Sequence, residues 1–312
     1  MNLKSIDKTN NMRCTMIYRI LASLIFSLSL LSGVVGSASA NSTIVVGGKK
    51  FTEQQLVAEM TAQLLRANGY SVDKRPDLGS SVLRAAQENG QVDVYWEYTG
   101  TSLITYNKVT EKLDADETYK KISELDAQKG ITWLNPSKAN NTYAFAMRKE
   151  EAEKDGIVSI SDLAKKIETG KSYKFASNAE FFSRPDGLRP LQETYKFEFE
   201  RKNIVRMDGG LTYQALRDSQ VDLALVLSTD GRIPAFGFVV LKDDKGFFPS
   251  YALTPVIRTD VYKENPKIGE LLNALSSTLD DDTIAALNSR VDVGRESIES
   301  VSKEFLQKNK LL

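Results

Sequence analysis

Two stretches of this chain carry the same unit. Residues 86–100 read AQENGQVDVYWEYTG and residues 215–231 read ALRDSQVDLALVLSTDG, so that Gln91-Val92-Asp93 recurs as Gln220-Val221-Asp222. Each copy is a helix end, a polar turn, an apolar strand and an exit through Thr and Gly. Such a unit predicts a pair of similar α/β lobes, each offering a strand end to a shared cleft. In sheets of this kind ligands sit beyond the carboxyl ends of the strands. On this register Tyr98 and Leu227 are equivalent positions facing each other. A match this short can also arise by chance, so the pattern around it has to agree.

The surrounding pattern agrees. Short apolar strands alternate with amphipathic helices, which indicates an α/β layer architecture. Thr43 to Gly48 reads as a strand. Thr52 to Asn68 reads as a helix, with Thr52 and Gln55 as a capping box and Phe51 with Leu56 as a hydrophobic staple. Leu56, Val57, Met60, Leu64 and Leu65 form its apolar stripe. A second helix from Ser80 or Ser81 ends at Gly90, and Val92 to Thr99 is the next strand. Asn141 to Met147 and Tyr251 to Thr259 are candidate crossover strands. Between them lies a self-contained α/β stretch. The expected organisation is therefore a discontinuous first lobe, 41–145 with 250–312, and an inserted second lobe, 146–249, joined by a two-strand hinge. Asp280, Asp281 and Asp282 read as the start of a late helix.

The first forty residues set the compartment. Arg13 and Arg19 precede an apolar run from Ile20 to Val35, and Ala38 and Ala40 fit an A-x-A cleavage signal. A mature chain beginning near Asn41 is expected, in the periplasm; an uncleaved membrane anchor is the other reading. Cleavage would remove Lys4, Lys8, Arg13, Arg19 and Asp7, leaving 37 basic and 40 acidic residues of the original 41 and 41. That balance argues against a nucleic-acid surface. Cys14 is the only cysteine and histidine is absent. Ser-His-Asp and Cys-His mechanisms are thereby excluded, and so are a disulfide and a thiolate metal site in the mature part. No cofactor and no metal are expected, and a non-catalytic binder fits better than an exported enzyme relying on carboxylates.

Aromatic residues gather at strand ends. Tyr95, Trp96 and Tyr98 share one strand, and alternation puts Trp96 and Tyr98 on one face. Tyr143 and Tyr251 begin the crossover strands. If these ends converge, their rings could form a cage for a quaternary ammonium group, which has no N–H to donate and is held by ring faces. Each Tyr taken alone can equally be an amphipathic core residue. Lys49, beside a helix start, could hold a carboxylate; a solvated lysine is the plainer reading. Arg184 in SRPDG could grip a carboxylate in bidentate fashion, or pair with Asp186 to brace its own loop.

As a set, the motifs resemble one family. GGKKFTEQ (47–54), VDVYWEYTGT (92–101), ANNTYAF (139–145), LSTDGRI (227–233) and LKDDKGFFPSYALTPVI (241–257) are similar to the osmoprotectant-type solute-binding proteins of ABC importers, the receptors for glycine betaine, carnitine and choline. The resemblance covers essentially the whole mature chain. It implies a periplasmic-binding-protein type II fold whose lobes close over a small quaternary-ammonium ligand and deliver it to an ABC permease and its ATPase. The receptor is expected to act as a monomer. By motif, the cage falls on Tyr98, Tyr143 and Tyr251, with Thr101 as a ligand contact and Lys49 in a pocket position that is Gln in some members. Leu227 departs from the pattern, since relatives often carry Tyr there. Trp96 could replace the missing face, or the ligand could be bulkier or less cationic, such as ergothioneine or a non-quaternary amine. Lys49 and Arg184 favour a ligand with a carboxylate over choline. An extracytoplasmic sensor domain is the remaining alternative.

Overall fold

Among the residues described, 43–312, ten strands divide evenly between two sheets. They are β1 Ile44–Lys49, β2 Val72–Leu78, β3 Val94–Tyr98, β4 Ile131–Trp133, β5 Tyr143–Arg148, β6 Phe175–Ser177, β7 Ile204–Arg206, β8 Leu223–Leu227, β9 Phe238–Val240 and β10 Leu253–Arg258. The structure is a computed structural model, and the leader segment, its cleavage point and Cys14 lie outside the described residues. The first sheet runs β2-β1-β3-β10-β4 and the second β7-β6-β8-β5-β9. The orders are equivalent: β8 takes the place of β3, and β5 the place of β10. In each sheet three parallel strands meet one antiparallel strand brought in from the crossover.

The repeated Gln-Val-Asp has the same job in both lobes. Asp93 Oδ2 accepts the backbone N–H of Val45 at 2.7 Å, and Asp222 Oδ2 accepts that of Lys174 at 2.8 Å. The backbone N–H groups of the two aspartates donate in return to the carbonyls of Val45 and Lys174, both at 2.9 Å. Each aspartate also faces the arginine that ends the antiparallel strand: Arg258 is 3.2 Å from Asp93, and Arg148 is 3.9 Å from Asp222. The side chain therefore clamps a new strand onto its parallel neighbour at the turn, where the ladder has not yet begun. The sequence match is a structural equivalence and not a coincidence.

The helices bury the stripes read from the sequence. Leu56, Val57, Met60, Leu64 and Leu65 of helix Thr52–Ala67 are all buried against the first sheet. Its start differs from the expected capping box. Phe51 is the N-cap residue and no side chain caps the helix. Thr52 Oγ1 donates instead to Asp292 at 2.6 Å, and Gln55 to Asp77. The reason is tertiary: both side chains have stronger, charged acceptors within reach. The Phe51 ring stacks on Tyr98, with centroids 6.3 Å apart. Asp280 does cap helix Asp281–Asp292, accepting the N–H of Thr283 at 2.8 Å.

The crossing between sheets lies slightly earlier than expected. β5 pairs with β8 and β9 from Tyr143 onward, so residues 143–145 belong to the second sheet, on the other side of the expected boundary at 145. Segments 137–141 and 251–253, which connect the two sheets, run antiparallel, bridged at Asn140 and Ala252 and by the Leu253 N–H to the Ala139 carbonyl at 2.9 Å. The register of both sheets is thereby fixed close to the cleft. Among the described residues no helix is long and apolar enough to cross a membrane.

Candidate functional site

A cleft of about 660 Å³ opens where the carboxyl ends of β3 and β8 approach each other. Tyr98 closes β3 and Thr101 opens the π-helix Thr101–Tyr106 that follows. The intervening Gly100 is required by a close approach: a Cβ there would lie 2.7 Å from the Ser250 carbonyl and 2.9 Å from the Tyr251 ring. That contact brings the β3 exit against the residues leading into β10. Gly231, beyond β8, also sits at a close approach, where a Cβ would meet the Ala285 carbonyl of helix Asp281–Asp292 at 2.7 Å.

Tyr98, Tyr143 and Tyr251, named from the sequence on three separate segments, all line this cleft, as do Thr101, Lys49, Arg184 and Leu227. Tyr143 and Tyr251 meet edge to face at 5.9 Å. The Tyr251 hydroxyl donates to Asp186 at 2.6 Å, and the Arg184 guanidinium lies 5.5 Å from the Tyr143 ring centre. Burial pushes the phenols of Tyr98, Tyr143 and Tyr251 up from their ordinary value, so all three are neutral at physiological pH. Neutral phenols keep rings with a negative face and a hydroxyl proton, which Tyr98 donates to Glu53 and Tyr251 to Asp186.

Lys49 and Arg184 are already matched by carboxylates. Lys49 Nζ is 2.5 Å from Glu97 Oε1 and 4.8 Å from the Tyr98 ring centre. Arg184 donates from Nε and Nη2 to the two oxygens of Asp186, at 2.7 and 2.5 Å, and reaches Thr101 Oγ1 at 3.3 Å. The bracing arrangement is the one adopted, so the bidentate edge expected for a ligand carboxylate is taken. Lys49 and Arg184 enter the cleft as parts of neutral pairs. Arg206 also lines the cleft, and among the described residues no carboxylate forms an ion pair with it.

Trp96 is a correction. It is fully buried and donates its indole N–H to Thr61 Oγ1 at 2.9 Å, below the cleft and against helix Thr52–Ala67. It does share a face with Tyr98, but two residues of strand place it about 7 Å deeper. It cannot supply the ring absent at Leu227. Tyr213, from helix Leu211–Arg217, stands at that wall instead: its hydroxyl accepts the Leu227 N–H at 2.8 Å and it lines the cleft, with Arg232 3.9 Å from its ring centre. Sequence reasoning missed it because a Tyr in an amphipathic helix reads as core. It also missed Glu53. An acid in the first turn of a helix ordinarily faces water and favours the positive dipole end, whereas Glu53 is 2% exposed and lines the cleft.

Residues 42–308 match the family described as the substrate binding domain of the ABC-type glycine betaine transport system. The chain belongs to that family. It is 45% identical over 276 residues to a glycine-betaine-binding protein of Pseudomonas aeruginosa, covering 86% of this chain and 89% of that one. A glycine betaine-binding protein of Escherichia coli is 31% identical, over 90% of this chain and 95% of the other. A crystal structure of a glycine betaine/carnitine/choline ABC transporter protein superposes with a TM-score of 0.71 at 28% identity, over 86% of this chain and 99% of its own. The two equivalent sheets, with a cleft between them, are the two α/β lobes of the type II periplasmic-binding-protein fold.

Proposed function

We propose that this protein captures a quaternary-ammonium osmolyte of the glycine betaine, carnitine or choline type and hands it to an ABC importer, without chemistry on the ligand. The observation that carries the reading is the convergence of Tyr98, Tyr143 and Tyr251 on one cleft, Tyr98 and Tyr251 buried, Tyr143 half-buried, and all three neutral. A trimethylammonium group cannot donate a hydrogen bond, and each well-placed ring face holds it by about 0.5–2 kcal/mol. Ion pairs with Glu97 and Asp186 neutralise Lys49 and Arg184, so neither stands as a bare charge against a second cation. Contact between the lobes then encloses the ligand and presents a combined surface to a permease and its ATPase. Export through a leader cleaved after Ala40 completes the reading; sequencing the amino terminus of the exported protein checks it. Calorimetry on protein stripped of endogenous ligand, against glycine betaine, carnitine, choline and proline betaine, tests the ligand class. Heat of binding with at least one is expected, and none with any of the four would overturn the proposal.

A further inference from the structure

We propose that Glu53 is a positioning residue which couples the Tyr98 face of the cleft to contact between the lobes. One oxygen of its carboxylate, Oε1, accepts the Tyr98 hydroxyl at 2.6 Å. The other, Oε2, accepts the Thr229 hydroxyl at 2.6 Å and the Asn141 side-chain N–H at 2.9 Å. Tyr98 and Glu53 belong to the first lobe, Asn141 to the connecting segments, and Thr229 to the turn beyond β8 in the second lobe. A single buried group thus ties a ring of the cleft to those segments and to the opposite lobe. The far side of the contact is held as well, since Asn288 of the first lobe donates to the Thr229 carbonyl at 3.1 Å.

The arrangement is a poor way to stabilise a fold. Among the described residues no Lys or Arg forms an ion pair with Glu53, and its three partners are neutral donors. Burying a carboxylate without an opposite charge is costly, and burial raises the Glu53 pKa even against three hydrogen bonds. Asp230 adds repulsion from the same turn as Thr229. A ligand cation in the cleft supplies the missing positive charge. Binding then strengthens the carboxylate that grips Thr229, and gripping Thr229 orients the Tyr98 hydroxyl and ring. This inference rests on the cation-binding reading.

A double-mutant cycle tests it, with glycine betaine, carnitine, choline and proline betaine as probes and calorimetric affinity as readout. Thr229→Val removes only the hydroxyl from the second lobe. It is expected to weaken binding about tenfold in the native background, as for one hydrogen bond to a charged group. In a Glu53→Ala background the same change should alter affinity less than twofold. Small-angle scattering should show compaction on ligand addition for the native protein and a reduced change for Thr229→Val. Independent, additive losses, or full affinity and full compaction in Thr229→Val, would overturn the coupling. If Glu53→Ala does not fold, Glu53→Gln takes its place in the cycle, since it removes the charge while keeping an acceptor for Tyr98. A native protein that binds none of the probes overturns the cation-binding reading and this coupling with it. Binding by the native protein with an additive cycle overturns the coupling alone.

Discussion

Tyr143 and Leu227 are cross-strand partners on the β5–β8 ladder. At the matching place in the other lobe, Tyr98 of β3 stands opposite Leu253 of β10. Each lobe therefore has one Tyr and one Leu in this pair, on opposite strands. Leu227 is less a missing ring than an exchanged one, because its neighbour about 5 Å away is already aromatic. Introducing Leu227→Tyr would put two rings side by side on the second lobe. Binding of small quaternary amines is expected to strengthen by about 0.5–2 kcal/mol, roughly two- to thirtyfold. Calorimetry of the variant against the native protein decides it, and unchanged affinity would remove position 227 from the ligand's wall.

The three tyrosines and Trp96 should separate cleanly. Tyr98→Ala, Tyr143→Ala and Tyr251→Ala are each expected to weaken ligand binding tenfold or more, since 1.4 kcal/mol is a decade. Trp96→Phe should leave affinity unchanged and cost about 1 kcal/mol of stability through loss of the bond to Thr61. Fluorescence titration and urea unfolding on the same four variants would read both quantities. A loss of affinity in Trp96→Phe equal to that in Tyr98→Ala would contradict the depth assigned to the indole.

Much of this was readable in advance for a physical reason. Strand and helix periods are local, so the stripe of helix Thr52–Ala67 and the repeat at Gln91 and Gln220 could be read from sequence. Motif spacing carried Tyr98, Tyr143 and Tyr251 to one cleft because the backbone alone brings those strand ends together. What was not legible depends on partners distant in sequence. Lys49 is neutralised by Glu97 from another strand, Thr52 is claimed by Asp292, and Glu53 meets Thr229 across the cleft. No window of the sequence contains both members of any of these pairs.

The Lys49–Glu97 pair gives a stability prediction. Both side chains are buried, and Glu97 also accepts the Tyr98 backbone N–H at 2.8 Å and the Tyr95 hydroxyl at 2.9 Å. Lys49→Met leaves a buried carboxylate without its cation and is expected to cost about 3–5 kcal/mol. Adding Glu97→Gln should recover a large part of that loss, because the amide oxygen still accepts and no charge remains. Denaturant unfolding of the single and double variants measures the difference. A double variant no more stable than Lys49→Met would mean that charge is not the cause.

Strong acid should loosen the network beneath Thr101. Asp126 is fully buried and accepts from both terminal nitrogens of Arg84 at 2.9 and 2.7 Å, from Ser102 Oγ at 2.8 Å, from Asn107 at 2.9 Å and from the Trp133 indole at 2.8 Å. Ser102 belongs to the π-helix that begins with Thr101 and Asn107 is its C-cap, so this network holds a wall of the cleft. Burial works to raise the Asp126 carboxyl, but Arg84, Asn107 and Trp133 prevail and hold it at about 2, below its ordinary 3.8. A depressed folded-state pKa contributes stability that is present above the unfolded value and disappears as pH falls through the folded one. The contribution is about 2–3 kcal/mol, intact at neutral pH and lost between roughly pH 4 and pH 2. Asp126→Asn should remove at least that much at pH 7, and the gap to the native protein should close as pH falls through this window. Urea unfolding at pH 7, 4, 3 and 2.5 reads the gap directly, and a gap independent of pH would show that ionisation of Asp126 does not hold this wall in place.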